Sequence, residues 1–561
     1  MICSNEVAAP TKKKLNQRVP WLTDFEDDTL CNGQAEATCR KSGLEHSTQL
    51  DINSNPKISR LTKIMVTLGV ANSDPGAIVN MMMAGANIVR LNMSHQVDKW
   101  HAITVQSIRQ AGDRMYEFTG EIYPLGVATS LRGPEIRTGI FRGDASSIGY
   151  ADLKEGNVVK LLTNDVAKRA GCVNCFWVSY PELPRVCRPG DKILIGRGVA
   201  LLQVCCVREA DVVCKVLKGG IVRDEALVQL LDSIVELPQL SKTDEEQIEL
   251  TSFLECDFCI VNHTRNEKMV EVVKTGFDQM STIKICVIAK ISSQQGLDCL
   301  DEILLAADGI LLDRASVEIE VGPERLFLVE KVVVAKCLKA GKPVILSFHV
   351  SKRNASKLDV NLIANAVLSG VDVIFLKSGE LNGKETSELI KKVDVVCRQA
   401  ESARYQREIF DELACKMLVP PDPMYAVTVG AIQTSLNLNA AAIIVTTTSG
   451  RSAALLSVYR PHCPILAVTR CGDVARWLQL YHGLHPIHYR QQPLPDWNDE
   501  LNSRIQSGVD SLRRRRYIKV GDAVVIVTGC REGSGFTNSI RVAYVSPGQV
   551  GNEATNLEPC W

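Results

Sequence analysis

The 561-residue sequence has no excess of charge of either sign: Lys plus Arg and Asp plus Glu each number 64, for a formal net charge of 0. Without a global basic field there is no electrostatic footprint for nucleic acid or an acidic membrane, so a charged partner must be met by a local patch. Long hydrophobic runs are missing too. No apolar stretch approaches the roughly 20 residues of a membrane span. The opening Met-Ile-Cys-Ser-Asn-Glu has neither the charged nor the apolar region of a secretory leader. These absences predict a cytoplasmic protein with no membrane and no nucleic-acid partner. No internal repeat or low-complexity tract stands out. Apolar residues at 45% and charged residues at 23% are ordinary for a globular chain, which excludes wholesale disorder and fibrous architectures.

Cysteine is plentiful by contrast, with 20 residues. They are scattered along a chain long enough to bury its cores without covalent staples, so they read as reduced thiols. Two Cys-x-x-Cys pairs, Cys172/Cys175 and Cys256/Cys259, would supply four zinc ligands if combined, but the second pair lies in an apolar run that reads as a strand, which argues against zinc.

At roughly 150 residues per domain the length predicts three to four domains. Residues 1–58 are polar and aperiodic and read as a loose N-terminal arm. Short apolar runs then recur at 63–70, 86–92, 124–131, 257–262, 283–291, 309–313, 343–348 and 371–376, most followed by stretches of helical spacing. Eight buried strands alternating with helices predict an α/β fold, a (β/α)8 TIM barrel formed by 59–133 and 237–405, with its chemistry at the C-terminal strand ends. The rhythm breaks over 134–236, where hairpin-like runs at 158–162, 192–195 and 199–207 predict an inserted β-barrel lid domain. Apolar runs at 442–446, 464–469 and 523–528 predict a C-terminal α/β effector and assembly domain over 406–561.

The motifs Val89-Arg90-Leu91-Asn92-Met93-Ser94-His95, Gly133-Pro134-Glu135-Ile136-Arg137-Thr138-Gly139, Gly341-Lys342-Pro343-Val344-Ile345, Ser449-Gly450-Arg451-Ser452 and Gly533-Ser534-Gly535-Phe536-Thr537-Asn538 occur in this order. Together they resemble the pyruvate kinase family from about residue 45 to 545. The resemblance implies the glycolytic reaction of phosphoenolpyruvate with ADP to give pyruvate and ATP. It also implies magnesium and potassium as cofactors, a sugar-bisphosphate effector, and a homo- or hetero-tetramer. Arg90 and Lys290 stand where the family holds the transferred phosphoryl group, Asn92, His95 and Arg137 match its nucleotide site, and Asn92 and Ser94 match two potassium ligands.

Several departures fall at the expected mouth. The family's Lys-Ile-Glu-Asn is Lys290-Ile291-Ser292-Ser293, and its Ala-Arg-Gly-Asp-Leu-Gly is Asp313-Arg314-Ala315-Ser316-Val317-Glu318, so serines occupy both magnesium carboxylate positions. Thr129-Ser130-Leu131-Arg132 replaces Leu-Asp-Thr-Lys, leaving the potassium site partial, and Ser347-Phe348-His349 replaces Ala-Thr-Gln, putting a ring at an active-site threonine. In the lid, Gly196-Arg197-Gly198 and Glu225-Ala226-Leu227 replace Asp-Asp-Gly and Lys-Lys-Gly. These changes predict a lost magnesium site and a catalytically degenerate homologue. The alternatives are a weakened enzyme with a metal site rebuilt on Asp313 or Glu318, and a structural or regulatory subunit of mixed tetramers. Strand alternation from Ser316 argues against Asp313. Arg90, Lys290, Arg132 and Arg314 are expected to converge with few carboxylates and favour anions.

The C-terminal motifs are kept. Thr447, Ser449, Gly450, Arg451 and Ser452 lie between a strand and a helix, a setting for phosphate, and with Trp497, Arg504, Arg531, Gly533 and Ser534 they match the family's effector site, although Glu532 replaces a frequent proline. The arginine run at 513–516 reads as a solvated charge run.

Overall fold

The computed structural model describes Gln34, Ala37 and residues 42–559, apart from 95, 142–148, 165–167, 197, 232, 234, 282, 351–358, 416–421, 532, 534 and 547–556. Eight parallel strands close a barrel in chain order: β1 (Lys63–Thr67), β2 (Ile88–Asn92), β3 (Gly126–Ser130), β4 (Phe258–Val261), β5 (Cys286–Ile291), β6 (Gly309–Leu312), β7 (Val344–His349) and β8 (Val373–Lys377). Their runs are continuous because both faces are buried. Val66, Val89, Val287 and Leu346 pack against the helices, while Met65, Ile88, Phe258, Ile288, Leu311 and Phe375 fill the interior.

The chain leaves β3 for the lid at Gly133, whose φ of 76° and close approach to the Asn262 carbonyl oxygen, 2.9 Å from an added Cβ, admit only glycine. Its amide donates to Asp244 (2.8 Å), a residue that also closes the capping box with Ser241 on helix Lys242–Phe253. The lid is a seven-stranded sheet with a two-stranded ribbon, built on its own core of Phe141, Leu161, Phe176, Ile193 and Leu202.

The C-terminal sheet orders its strands Leu484–His488, Ile465–Thr469, Ala442–Thr446, Ala523–Gly529, Thr537–Val545 and Leu557–Pro559, the first four parallel and the rest antiparallel. Leu480 of this domain enters the barrel's interior cluster from below. Around it, Asp372 accepts both Arg460 nitrogens (2.7 and 2.8 Å) and the amides of Val344 (2.9 Å) and His482 (3.0 Å). Asp257 likewise holds Arg476 (2.7 Å) and the Val127 amide (2.8 Å).

Two expectations change. Part of the arm expected to be loose is docked: Ser42 caps helix Gly43–Thr48, and buried His46 bonds the carbonyls of Ala37 (2.8 Å) and Ala403 (3.0 Å). The arginine run is only partly solvated, with Arg514 and Arg516 exposed. Arg514 and Arg515 (3.0 Å) both grip Glu121, just beyond helix Asp98–Thr119, and Arg513 donates to the Ser546 carbonyl (2.6 Å), so the run ties the C-terminal domain to the barrel.

Removing one partner of a buried ion pair strands the other charge. Arg460→Ala is therefore expected to cost about 3–5 kcal/mol, read as a lower denaturant midpoint. Arg514→Ala, on the more exposed clamp, is expected to cost about 1 kcal/mol or less.

Candidate active site

Alternate side chains of a strand share a face, so Arg90 with Asn92 on β2, and Lys290 with Ser292 at the end of β5, project toward the mouth. Between β5 and β8 sits Asp313, 3% exposed. Its carboxylate receives Lys290 at 2.9 Å, Lys377 at 2.7 Å and the Ser347 hydroxyl at 3.1 Å. Burial pushes the Asp313 pKa up, but the two ammonium charges outweigh it and hold the group well below the carboxylate range. Lys377 is lowered too, which favours its neutral form. Burial, reinforced by the charge of Lys290, outweighs the attraction of Asp313 and lowers it to about 8.

Asp313 thus faces the mouth, against the strand-alternation argument. β6 ends at Leu312 and a helix starts at Arg314 (Arg314–Val321), so no strand joins Asp313 to Ser316 and alternation does not carry across. Ser316 is half-buried on that helix and Glu318 is exposed. The expected four-cation cluster is corrected too. Arg314 pairs with Glu330 and lies 5.1 Å over the Phe348 ring, and that ring packs in the outer core, leaving Ser347 as the inward hydroxyl of β7. Nor are carboxylates scarce, since Asp313 and Glu135 both reach the mouth. Lys377 was missed by sequence reading; the available signal was a lysine directly after the eighth apolar run, at a C-terminal strand end.

A second chain of bonds crosses the mouth. Ser292 Oγ lies 3.1 Å from His263 Nδ1, His263 Nε2 lies 2.8 Å from Glu135, and Glu135 also pairs with Arg137 of the lid. Burial raises the Glu135 pKa, but the His263 bond and the Arg137 charge bring it down to about 2. Burial holds His263 below its ordinary range, so at neutral pH it donates from Nε2 and accepts the serine hydroxyl at Nδ1. The connectivity resembles a serine–histidine–carboxylate relay. Ser292, however, is 1% exposed, and its hydroxyl belongs to the wall.

Arg90 donates to Asn92 Oδ1 (2.7 Å) and Ser130 Oγ (2.9 Å), so a guanidinium bridges groups expected at the potassium position. Ser94 is half-buried beyond β2, and Arg137 also donates to the Glu225 carbonyl (2.8 Å). His95 and Arg197 lie outside the described residues. The Cys pairs do not combine. Cys172 is exposed in the lid, Cys256 and Cys259 are buried at β4 with burial pushing the Cys256 thiol up to about 12, and among the described residues no three His, Cys, Asp or Glu side chains form a metal cluster.

In the C-terminal domain, Thr447, Ser449, Arg451, Ser452, Trp497, Arg504, Arg531 and Gly533 line one open cleft. Gly450 (φ 78°) turns the chain into helix Arg451–Val458; a Cβ there would meet Trp477 at 2.8 Å, and its amide donates to Thr447 (3.0 Å). Arg504 is buried, held by Glu500 (2.6 Å) and lying 5.5 Å over Trp497, whereas Arg531 is exposed over Phe536. Ser534 and Glu532 lie outside the described residues.

Cations gathered at the C-terminal strand ends, with a β domain inserted after β3, define a TIM-barrel protein with a cation-lined mouth. A model of the pyruvate kinase barrel domain matches residues 59–389, and a model of the pyruvate kinase alpha/beta domain matches 425–543. Human pyruvate kinase PKLR is 35% identical over 518 residues, covering 91% of this chain and 90% of that protein. Pyruvate kinase 1 of Saccharomyces cerevisiae is 30% identical over 515 residues, 90% of this chain and 100% of that one. The chain belongs to the pyruvate kinase family.

Between pH about 8 and 10.5 the unfolded chain holds more protons on Lys377 than the folded one, so this residue makes stability rise with pH across that window. Lys377→Met is expected to flatten the rise, read from denaturant midpoints at the two ends of the window.

Proposed function

We propose that this chain is a catalytically degenerate pyruvate kinase homologue whose mouth binds small phosphorylated anions without turning them over. The observation that carries this reading is the Asp313 clamp. Magnesium is a hard ion held by one or two carboxylates plus waters. Here Asp313 is shared by two ammonium groups and a hydroxyl, Glu135 by His263 and Arg137, and the Ser292 hydroxyl is tied to His263. These donors do not fit magnesium. The potassium position is only partly furnished, because Arg90 occupies Asn92 and Ser130.

What remains is binding. Arg90, Lys290, Lys377 and Arg137 exceed Asp313 and Glu135 in charge, so a phosphate or carboxylate entering the mouth is attracted. Phosphoenolpyruvate and the phosphates of ADP or ATP are the ligands this arrangement suits, and a sugar bisphosphate suits the cleft lined by Thr447, Ser452 and Arg531. Phosphoryl transfer itself rests on charge neutralisation in the transition state, and the largest contributor to that in the family has no fitting site here.

Turnover of phosphoenolpyruvate and ADP is expected to lie at least about three decades below the roughly 10 per second of a typical enzyme, in a coupled assay with Mg²⁺, Mn²⁺ and K⁺. Turnover near that typical value would overturn the reading. One observation favours a second reading, an enzyme with a rebuilt metal site: Asp313 does face the mouth. In that case the unsubstituted protein should bind Mg²⁺ calorimetrically, and Asp313→Asn should remove both that binding and the turnover. Co-purification with an active paralogue, with no ligand effect on the isolated chain, would support the structural-subunit reading.

Phosphate or phosphoenolpyruvate at millimolar concentration is expected to raise the melting temperature without any divalent ion, and Lys290→Met to remove most of that shift. A sugar bisphosphate should still stabilise Lys290→Met but not Arg531→Ala. No shift from either ligand would defeat the binding reading.

A further inference from the structure

Cys172 and Cys175 close a two-residue turn in the lid, over Val173 and Asn174, and nothing in the mouth or the C-terminal cleft uses them. Their backbones exchange both hydrogen bonds, Cys172 N–H to Cys175 O (2.7 Å) and Cys175 N–H to Cys172 O (3.2 Å). They are therefore a directly opposed antiparallel pair. Such a pair holds its Cα atoms about 5.5 Å apart, within the span a disulfide bridges. The sulfurs already touch at 3.4 Å. Directly opposed strand residues hold their Cβ atoms about 4.5–5.5 Å apart, and a disulfide spans about 3.5–4.5 Å, so a small inward shift of this turn closes the bond. Cys172 is exposed and Cys175 half-buried, so a small oxidant reaches them.

We propose that Cys172 and Cys175 form a redox modification site, a dithiol that a low-molecular-weight disulfide such as oxidised glutathione converts to an intrachain disulfide. The Cys172 thiolate attacks one glutathione sulfur, breaking that S–S bond and expelling a glutathione thiolate. The Cys175 sulfur then attacks Cys172 Sγ and expels the second glutathione. Two cysteine thiols are oxidised, one glutathione disulfide is reduced to two thiols, and the two cysteine protons end on them. The cross-link lies close to the mouth along the chain. Strand Cys175–Trp177 runs into Ser179, which donates its amide to the Arg137 carbonyl (2.9 Å) and accepts the Arg137 amide at Oγ (2.8 Å). Oxidation thus braces the strand beside Arg137.

The test equilibrates the full-length protein in glutathione buffers of graded redox ratio, followed by alkylation and peptide mass mapping. The expected result is loss of the mass of two hydrogens on the peptide holding both residues. Exposed Cys205, Cys206, Cys415, Cys471 and Cys530 serve as internal comparators. Cys172→Ser should abolish that loss and leave Cys175 carrying glutathione, and hydrogen exchange around Ser179 and Arg137 should slow on oxidation only in the unsubstituted protein. If both cysteines remain alkylatable in millimolar oxidised glutathione, or yield only glutathione adducts, the proposal is wrong.

Discussion

One buried carboxylate organises the mouth of this barrel. Lys290 and Lys377 come from strands that are not neighbours, and two ammonium groups brought together out of water repel strongly unless an anion lies between them. Asp313 is that anion, placed where β6 ends and the next helix begins, and the Ser347 hydroxyl supplies a further bond. The carboxylate faces inward but is spent on the protein's own cations.

The same internal neutralisation recurs at the lid entrance. Glu135 lies between His263 and Arg137, and Arg90 lies between Asn92 and Ser130. In both places a charged or polar group at the mouth meets a neighbouring side chain. In the C-terminal cleft Thr447 Oγ1 likewise accepts from the Gly450 amide and the Ser452 hydroxyl, while the exposed Arg531 lines the opening.

Much of the architecture was legible because barrel strands buried on both faces appear as unbroken apolar runs. Strands without that property escaped. Leu484–His488 carries histidines and a proline, and Thr537–Val545 is half-exposed along its length. At the mouth, ordered motifs marked Arg90, Lys290 and Arg137, but partners that depend on tertiary placement did not announce themselves. Lys377 ended a run that was read as finished, His263 belonged to no motif, and Asp313 was misjudged because alternation was carried past the end of its strand. The arginine run showed the same limit. Its counter-charge, Glu121, lies 393 residues from Arg514, beyond any local pattern.

The C-terminal domain seals the lower end of the barrel. Leu480 is part of the barrel's own interior packing, and Asp372 with Arg460 and Asp257 with Arg476 bolt the surrounding rim. Swinging this domain away would uncork a greasy interior to solvent and strand two charged pairs at once. Any coupling between the C-terminal cleft and the mouth would have to cross this closed joint, with the cork never leaving the bottle.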